Sequence, residues 1–293
     1  MKKCILIVNP YSGRQKIQTE LLDIIKILNE NNCDVEVKVT LHHNHAREIA
    51  ANVKDVDMIV CTGGDGTLSQ VIAGIIDGQS NIPVGYIPMG STNDYANTLG
   101  LSFKSKEAIQ NIINGKKQAV DVGQFGENEF FNYVASFGLF TAASYSTPQA
   151  SKNIFGNAAY VVSGLAELAN AHPYHVKMVA NGNTYENDYI LGMVLNTTSV
   201  GGVLKIKEED VDLSDGLFEV LLIKNPETIE EWNAVFDGII NCKFTNSVFT
   251  FIKTSELEMF FDENISWSLD GEERKTEKSI KIVNLNKKIN LIK

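Results

Sequence analysis

The stretch "MIVCTGGDGTLSQVIAGII", Met58 to Ile76, decides how this chain folds. An apolar run leads into Gly63, Gly64 and Gly66, with Asp65 among them, and a helix-like run "LSQVIAGII" follows. The first part reads as a buried strand and the last as a helix. Strand, glycine turn and helix together make an anion site. Glycine lets backbone N–H groups approach a phosphate without a Cβ in the way. A helix beginning near Thr67 adds the positive end of its dipole. Asp65 is odd there, because a carboxylate repels phosphate. It makes sense if it acts through Mg²⁺ or water, orients a nearby loop, or caps the helix of an ordinary tight turn. No Gly-Lys-Ser/Thr follows, so this is not a Walker A loop. The glycine spacing is not the dinucleotide fingerprint either.

Outward from this stretch, short apolar runs alternate with helical patterns over the first ~120 residues. "CILIVN" reads as a strand, and "IQTELLDIIKILNE" places Ile17, Leu21, Ile24, Ile25 and Leu28 on one helical face. "DVEVKVT" and "IPVGYIP" are further strands; "HAREIAANV" and "SKEAIQNIINGK" are further helices. Such alternation specifies a mostly parallel sheet covered by helices on both faces. Ligands bind beyond the carboxyl ends of the strands in sheets of this kind.

After Asp121 the texture changes. "EFFNYVASFGL", "YHVKMVA", "TYENDYILGMVLN", "GLFEVLLI", "SVFTFIKTS", "LEMFFD" and "ISWSL" read as strands, separated by the turn sequences "GEN", "NGN" and "DEN". The helices "GNAAYVVSGLAELANA" and "ETIEEWNAVFDGII" interrupt them. The expected division is an α/β domain over residues 1–122 and a β-rich domain over 123–285. The last strand, about 286–293, returns to the first domain.

A length of 293 residues suits two domains, and 44% apolar with 21% charged residues is an ordinary globular mix. The formal net charge of -10 argues against non-specific nucleic-acid binding, and no polybasic segment pulls the chain onto an anionic membrane. Cys4, Cys33, Cys61 and Cys242 have neither metal nor redox spacing, and they read as small residues in a reducing, cytoplasmic setting. The apolar run after "MKK" is too short for a signal peptide, and no window is long enough for a membrane span.

Four strand ends share one rim. "NPYSGR" follows the first strand and Thr40 the second. The glycine turn follows the third, and "IPMGSTNDYANTLG" ends the fourth. With these in place, "NPYSG", "GGDGTLSQV" and "GSTNDYANTLG" resemble the catalytic domain of the bacterial diacylglycerol kinase-like lipid kinases, a superfamily that includes sphingosine and ceramide kinases. "DVGQF", "FFNYVASFG", "GNAAYVVSGL", "DLSDGLFEV" and "SLDGE" extend the resemblance over nearly the whole chain. "GGDGT" is also shared with NAD kinases; the combination with "GSTND" and the late "LDGE" is far more specific.

The resemblance implies an α/β plus all-β fold, with a three-layer nucleotide-binding α/β domain, a C-terminal β-sandwich domain and the active site between them. It implies transfer of the γ-phosphoryl group of ATP to a lipid hydroxyl with Mg²⁺. ATP would contact Asn9, Pro10, Tyr11, Ser12, Gly13, Thr40, Gly64, Asp65, Gly66, Thr67, Leu68, Ser69, Gln70 and Thr92. Asp270 or Glu272 would be the base, with Asp65 in the catalytic set, and Asp212, Asp215 and Leu217 would hold a Mg²⁺ ion, partly through backbone carbonyls. The partner would be a lipid at the membrane surface, met by a cytoplasmic, peripherally bound protein; the family often forms homodimers.

The sequence departs from the family at Gln70, where Glu is usual, at Ser69, where Asn is common, and at Ser91, where Gly is usual. "GLFTAAS" lacks an acid that many members carry. Two other functions are alternatives: an NAD kinase, and a catalytically weak lipid- or nucleotide-binding regulator, for which Gln70 speaks. His42, His43 and His45 read as surface or helix-start residues, "KIKEED" as a solvated loop, and Trp232 and Trp267 as packing residues.

Overall fold

In the computed structural model, residues 1–12, 17–139, 171–201 and 204–293 are described. Every residue of β3 (Met58–Gly63) is buried, as a strand covered on both faces must be. It lies between β1 (Lys2–Val8) and β4 (Val84–Pro88), and β1 pairs on its other side with β2 (Cys33–Val39), all in parallel.

The side chains sort by alternation. Ile5, Ile7, Ile59 and Cys61 share a core with Ala46 and Ala50 of α2 (His45–Asn52) and with Leu68, Val71, Ile72 and Ile75 of α3 (Asp65–Asp77). Cys4, Leu6, Val8, Met58 and Val60 face α1 (Ile17–Glu30) and a helix at Ser105–Asn114. These two helical layers with the sheet between them make the three-layer domain. A short helix, α4 (Asp94–Thr98), precedes that second helix, which is therefore α5.

The second domain is a β-sandwich. β5 (Lys117–Phe125) and β6 (Glu129–Phe131) form a hairpin, and β7 (Val134–Gly138), β8 (Tyr174–Ala180) and β9 (Asn183–Leu195) are antiparallel. The short pair β10 (Ser199–Val200) and β11 (Leu204–Lys205) precedes β12 (Phe218–Lys224), which pairs with β9 and β13 (Phe249–Thr254). β14 (Glu256–Phe261), β15 (Ile265–Leu269), β16 (Glu272–Thr276) and β17 (Ser279–Ile292) complete it, with α6 (Ile229–Asn241) outside. α6 opens with a capping box, Thr228 and Glu231 each satisfying the other's backbone amide. Trp267 is fully buried and meets Phe125, Phe137 and Phe261 edge-on; Trp232 stacks on Phe236.

β17 belongs to both domains. It pairs with β14 and β5, then runs parallel to β4 through Leu291–Val84 and Ile292–Gly85. Between these halves it bulges after Leu285, with Lys287 at φ +52°. The fully buried Asp121 carboxylate accepts the backbone N–H groups of Lys287 and Gly216 and the Asn286 amide. One acid thus fixes the joint where chain passes between the domains.

Three local readings change. α3 begins at Asp65 rather than near Thr67, and its N-cap is Gly64, so Asp65 is not the cap. The single strand expected over 129–139 is two, broken at Asn132 and Tyr133, whose amides turn toward Asp270. α4, β5 and β16 were not expected from the sequence. The helix expected over 156–171 and the "GLFTAAS" segment fall mostly outside the described residues. Among the described residues no helix is long and apolar enough to cross a membrane.

Candidate active site

The glycines of the turn have different tasks. A Cβ on Gly63 would lie 2.6 Å from the Thr67 Cβ, and one on Gly64 3.2 Å from the Gly90 Cα. Gly90 is as crowded in return, with the Gly64 Cα 2.7 Å from its own imagined Cβ. These positions are glycine so that the turn and the β4–α4 loop can touch. Gly66 is different. Its nearest neighbour would be Glu272 Oε1 at 3.8 Å, across the gap between the domains. Thr67 and Leu68 both donate to the Gly64 carbonyl, which leaves the Asp65 and Gly66 amides at the open end of α3.

The neighbouring loops are tied to this turn. The Asn9 side chain donates to Thr67 Oγ1 at 2.9 Å, and its Oδ1 accepts the Tyr11 amide. Asn9 N–H donates to the Thr62 carbonyl and Ser12 N–H to the Asn9 carbonyl. Pro10 and Ser12 are half-buried, Tyr11 is exposed, and Gly13 lies outside the described residues. Thr40 is buried and donates its amide to Val8, whereas Thr92 is exposed on the β4–α4 loop. Leu68 is buried inside α3 rather than on the rim.

Asp65 turns away from the open helix end. Its Oδ2 accepts the Asp94 amide at 2.9 Å, so it orients the "GSTND" loop. Its Oδ1 is buried with no hydrogen-bond partner among the described residues. Burial, with Asp94 and Asp270 nearby, pushes its pKa up to about 7 against the pull of the Asp94 and Tyr95 amides.

Asp270 sits at the β15–β16 turn with φ +50°, a conformation few non-glycine residues adopt. It is buried and surrounded by donors. Oδ1 accepts the amides of Tyr133 and Val134, and Oδ2 accepts the Asn132 amide and the Ser69 hydroxyl. The Asn132 side chain in turn donates to Ser69 Oγ at 2.7 Å. Burial raises the Asp270 pKa, and the four donors pull against that rise.

Glu272, two residues on, is half-exposed in the gap. Arg274 Nη2 donates to its Oε2 at 3.0 Å, and His43 Nε2 lies 3.3 Å from its Oε1. Gly66, Ser69, Gln70, Asn44, Arg47, Glu129 and Phe130 line the same cleft. Arg47 pairs with Asp77 and donates to the Asn128 carbonyl, and Glu129 faces both Arg47 and Arg274. Asn132, Arg47, Glu129 and Arg274 did not emerge from the sequence, and His43, read there as a surface or helix-start residue, faces Glu272 in the cleft. Only the "FFN" and "LDGE" motifs hinted that their surroundings mattered.

The Asp212–Leu217 segment lies elsewhere, beside the Asp121 joint. Asp212 Oδ1 accepts the Ser214 amide and hydroxyl, and Asp215 Oδ1 accepts the Leu217 amide. Both acids are exposed. The only group of three His, Cys, Asp or Glu among the described residues with ligand atoms close together is His42, His45 and Glu48. There His45 Nδ1 already accepts the Leu41 amide, so its lone pair is spoken for, and the ring stacks on His42 at the start of α2.

Fold and cleft define a nucleotide-type α/β domain that presents its glycine turn to a carboxylate on a β-sandwich. Comparison with known proteins gives the same class. The diacylglycerol kinase catalytic domain profile matches residues 3–125, and the YegS C-terminal NAD kinase beta sandwich-like domain profile matches residues 134–284. The chain belongs to this diacylglycerol kinase-like family of lipid kinases, and it is an enzyme of the phosphotransferase class. It is 28% identical to a diacylglycerol kinase of Bacillus subtilis (strain 168) over 93% of this chain and 90% of that protein. It is 29% identical to a diacylglycerol kinase of Staphylococcus aureus (strain bovine RF122 / ET3-1) over 78% of this chain and 73% of that one. A crystal structure from Bacillus anthracis str. Sterne, assigned as a candidate diacylglycerol kinase, superposes with a TM-score of 0.82 at 26% identity, covering 99% and 95% of the two chains.

Proposed function

We propose that this chain transfers the γ-phosphoryl group of ATP to the hydroxyl of diacylglycerol or a closely related lipid, with Mg²⁺, at a membrane surface facing the cytoplasm. The observation that carries this reading is the facing of Gly66 and Glu272 across the cleft. Phosphoryl transfer needs positioning, charge neutralisation and a group to take the alcohol proton. The Asp65 and Gly66 amides, with Asn9, Ser12, Thr40, Thr67 and Thr92 around the rim, would receive the triphosphate.

Glu272 is our choice of proton acceptor, because it is half-exposed beside Gly66. Asp270 is a positioning residue in this reading: its oxygens are filled by four donors, and it locks the β6–β7 turn to α3 through Ser69. In this reading Mg²⁺ has two places. The unpartnered Asp65 Oδ1 beside Asp94 is a hard oxygen next to a second acid. Asp215 with the carbonyls of Asp212 and Leu217 would hold a second, structural ion. Bound beside the phosphates, Mg²⁺ would neutralise charge on the transferring group. A homodimer belongs to the same proposal.

The test is a labelled-ATP assay on vesicles carrying diacylglycerol, ceramide or sphingosine, with NAD in a separate arm, for wild type and Glu272→Gln. Phosphorylated diacylglycerol from wild type and its loss in the variant are expected. Phosphorylated NAD without lipid product would overturn the reading.

A further inference from the structure

We propose that His43 is a positioning residue and proton relay for Glu272, carrying the alcohol proton from the cleft to bulk water. This rests on the reading of Glu272 as acceptor. The α/β domain and the β-sandwich each hold one oxygen of that carboxylate. Arg274, on the same strand as Glu272, takes Oε2 at 3.0 Å. His43, on the β2–α2 loop of the other domain, reaches Oε1 at 3.3 Å. The two partners differ in what they can do with a proton. A guanidinium stays charged at any working pH. An imidazole exchanges protons in the physiological range. Arg274 therefore orients Glu272, and of its two hydrogen-bonding partners His43 is the one able to relieve it of a proton.

Exposure points the same way. The His43 side chain is 64% exposed and that of Glu272 29%. The contact thus leads from the less exposed side chain to the more exposed one. The charged groups around it are Glu272 and Arg274 on β16, Glu129 on β6, Asp270 at the turn before β16, and His42, His45, Arg47 and Glu48 of the loop and α2. Glu129 and Asp77 engage the two arginines. No arginine competes with His43 for Oε1 among the described residues. The His42 Nδ1 lies 2.8 Å from the His43 carbonyl, a contact that fixes the loop presenting the His43 ring.

The step balances. The lipid oxygen forms its bond to the γ-phosphorus, and the bond to the bridging oxygen breaks with its electron pair leaving on ADP. The alcohol proton passes to Glu272 Oε1, then to His43 Nε2, and the imidazolium loses a proton to water. Glu272 is again a carboxylate for the next cycle.

The experiment compares wild type, His43→Ala, His43→Asn and Glu272→Gln. For His43→Ala and His43→Asn, kcat on diacylglycerol vesicles falls roughly five- to tenfold, with KM for ATP and lipid little changed. Added imidazole restores His43→Ala, because the site opens to water. Wild-type kcat in both His43 variants overturns the relay. So does a slow His43→Ala that imidazole does not restore. If Glu272→Gln itself turns over like wild type, the acceptor assignment falls and takes the relay with it. A dead Glu272→Gln beside a normal His43→Ala removes the relay alone.

Discussion

Asp65 Oδ2 accepts the backbone amide of Asp94 at 2.9 Å, while its Oδ1 is buried without a hydrogen-bond partner among the described residues. The acid of the glycine turn therefore holds the neighbouring loop with one oxygen, and the other is the one the proposed function gives to a cation. An unpaired buried carboxylate oxygen lowers stability, and the rise of the Asp65 pKa to about 7 reports that penalty. The sign follows. A carboxyl raised in the folded state favours folding most when protonated, below its unfolded value near 3.8. That contribution is lost as pH climbs through about 7. Asp65→Asn keeps an acceptor for Asp94 and removes the charge. We expect it to raise Tm at pH 8 by the equivalent of ~2–4 kcal/mol, with the gain shrinking toward pH 4. MgATP should stabilise wild type more than the variant. Thermal melts across pH, with and without MgATP, check both. A variant no more stable than wild type at pH 8 would show that the charge is already compensated.

The two late acids should separate cleanly. Asp270 is buried under four donors, so Asp270→Asn leaves at least one backbone amide facing an NH₂ group, at a cost of about 1–3 kcal/mol. Glu272→Gln keeps its size in a half-exposed place and should melt within a degree or two of wild type. Turnover should fall in both. In Glu272→Gln it should fall with folding intact, measured by calorimetry beside single-turnover kinetics. Loss of stability in Glu272→Gln and none in Asp270→Asn would make Asp270 the acceptor and Glu272 the positioning residue.

Much of this fold was legible because it rests on local pattern. The alternation Cys4, Leu6, Val8 against Ile5, Ile7 announces a strand buried on both faces, and the core splits along that line. The glycine turn and the rim were legible for a similar reason, since each follows a strand. Other parts were not. α4 is five residues long and starts after Asn93 in the left-handed region, so it offers no periodicity to read. β16, "EERKT", is charged nearly throughout and is a strand only because β15 pairs with it. His43 and Glu272 are 229 positions apart, and nothing in either neighbourhood announces the other. The turn's glycines were read as room for phosphate, yet Gly63 and Gly64 are required by Thr67 and Gly90.

That division of labour among glycines is itself testable. Gly90→Ala would put a Cβ 2.7 Å from the Gly64 Cα and 2.6 Å from Asn93 Oδ1. The loops must separate, and we expect about 1–3 kcal/mol of lost stability. Gly66→Ala meets only Glu272 Oε1, at an ordinary 3.8 Å, within the first turn of α3. Stability should hold or rise slightly, since alanine suits a helix better. The added methyl group would project into the cleft, so KM for ATP should rise several-fold. Melting curves and steady-state kinetics on the pair give the answer. A Gly66→Ala enzyme with unchanged KM would remove the cleft face of Gly66 from the nucleotide site.

Gln70 supplies the last expectation. It lines the cleft with Gly66, Ser69, Asp270 and Glu272, where the family usually carries Glu. A carboxylate there would add a further acid to a cleft whose arginines are already paired with Glu272, Glu129 and Asp77. Gln70→Glu should therefore lower Tm in Mg²⁺-free buffer at pH 8, and added Mg²⁺ should recover the loss. With the ion present the extra charge draws it in. The Mg²⁺ concentration for half-maximal turnover should fall roughly three- to tenfold, and kcat should rise. A Mg²⁺ titration of turnover, run beside melts at each concentration, measures both. If the variant gains charge but neither its Mg²⁺ requirement nor its rate moves, position 70 lies outside the reach of the ion, and the natural Gln70 does not weaken this kinase.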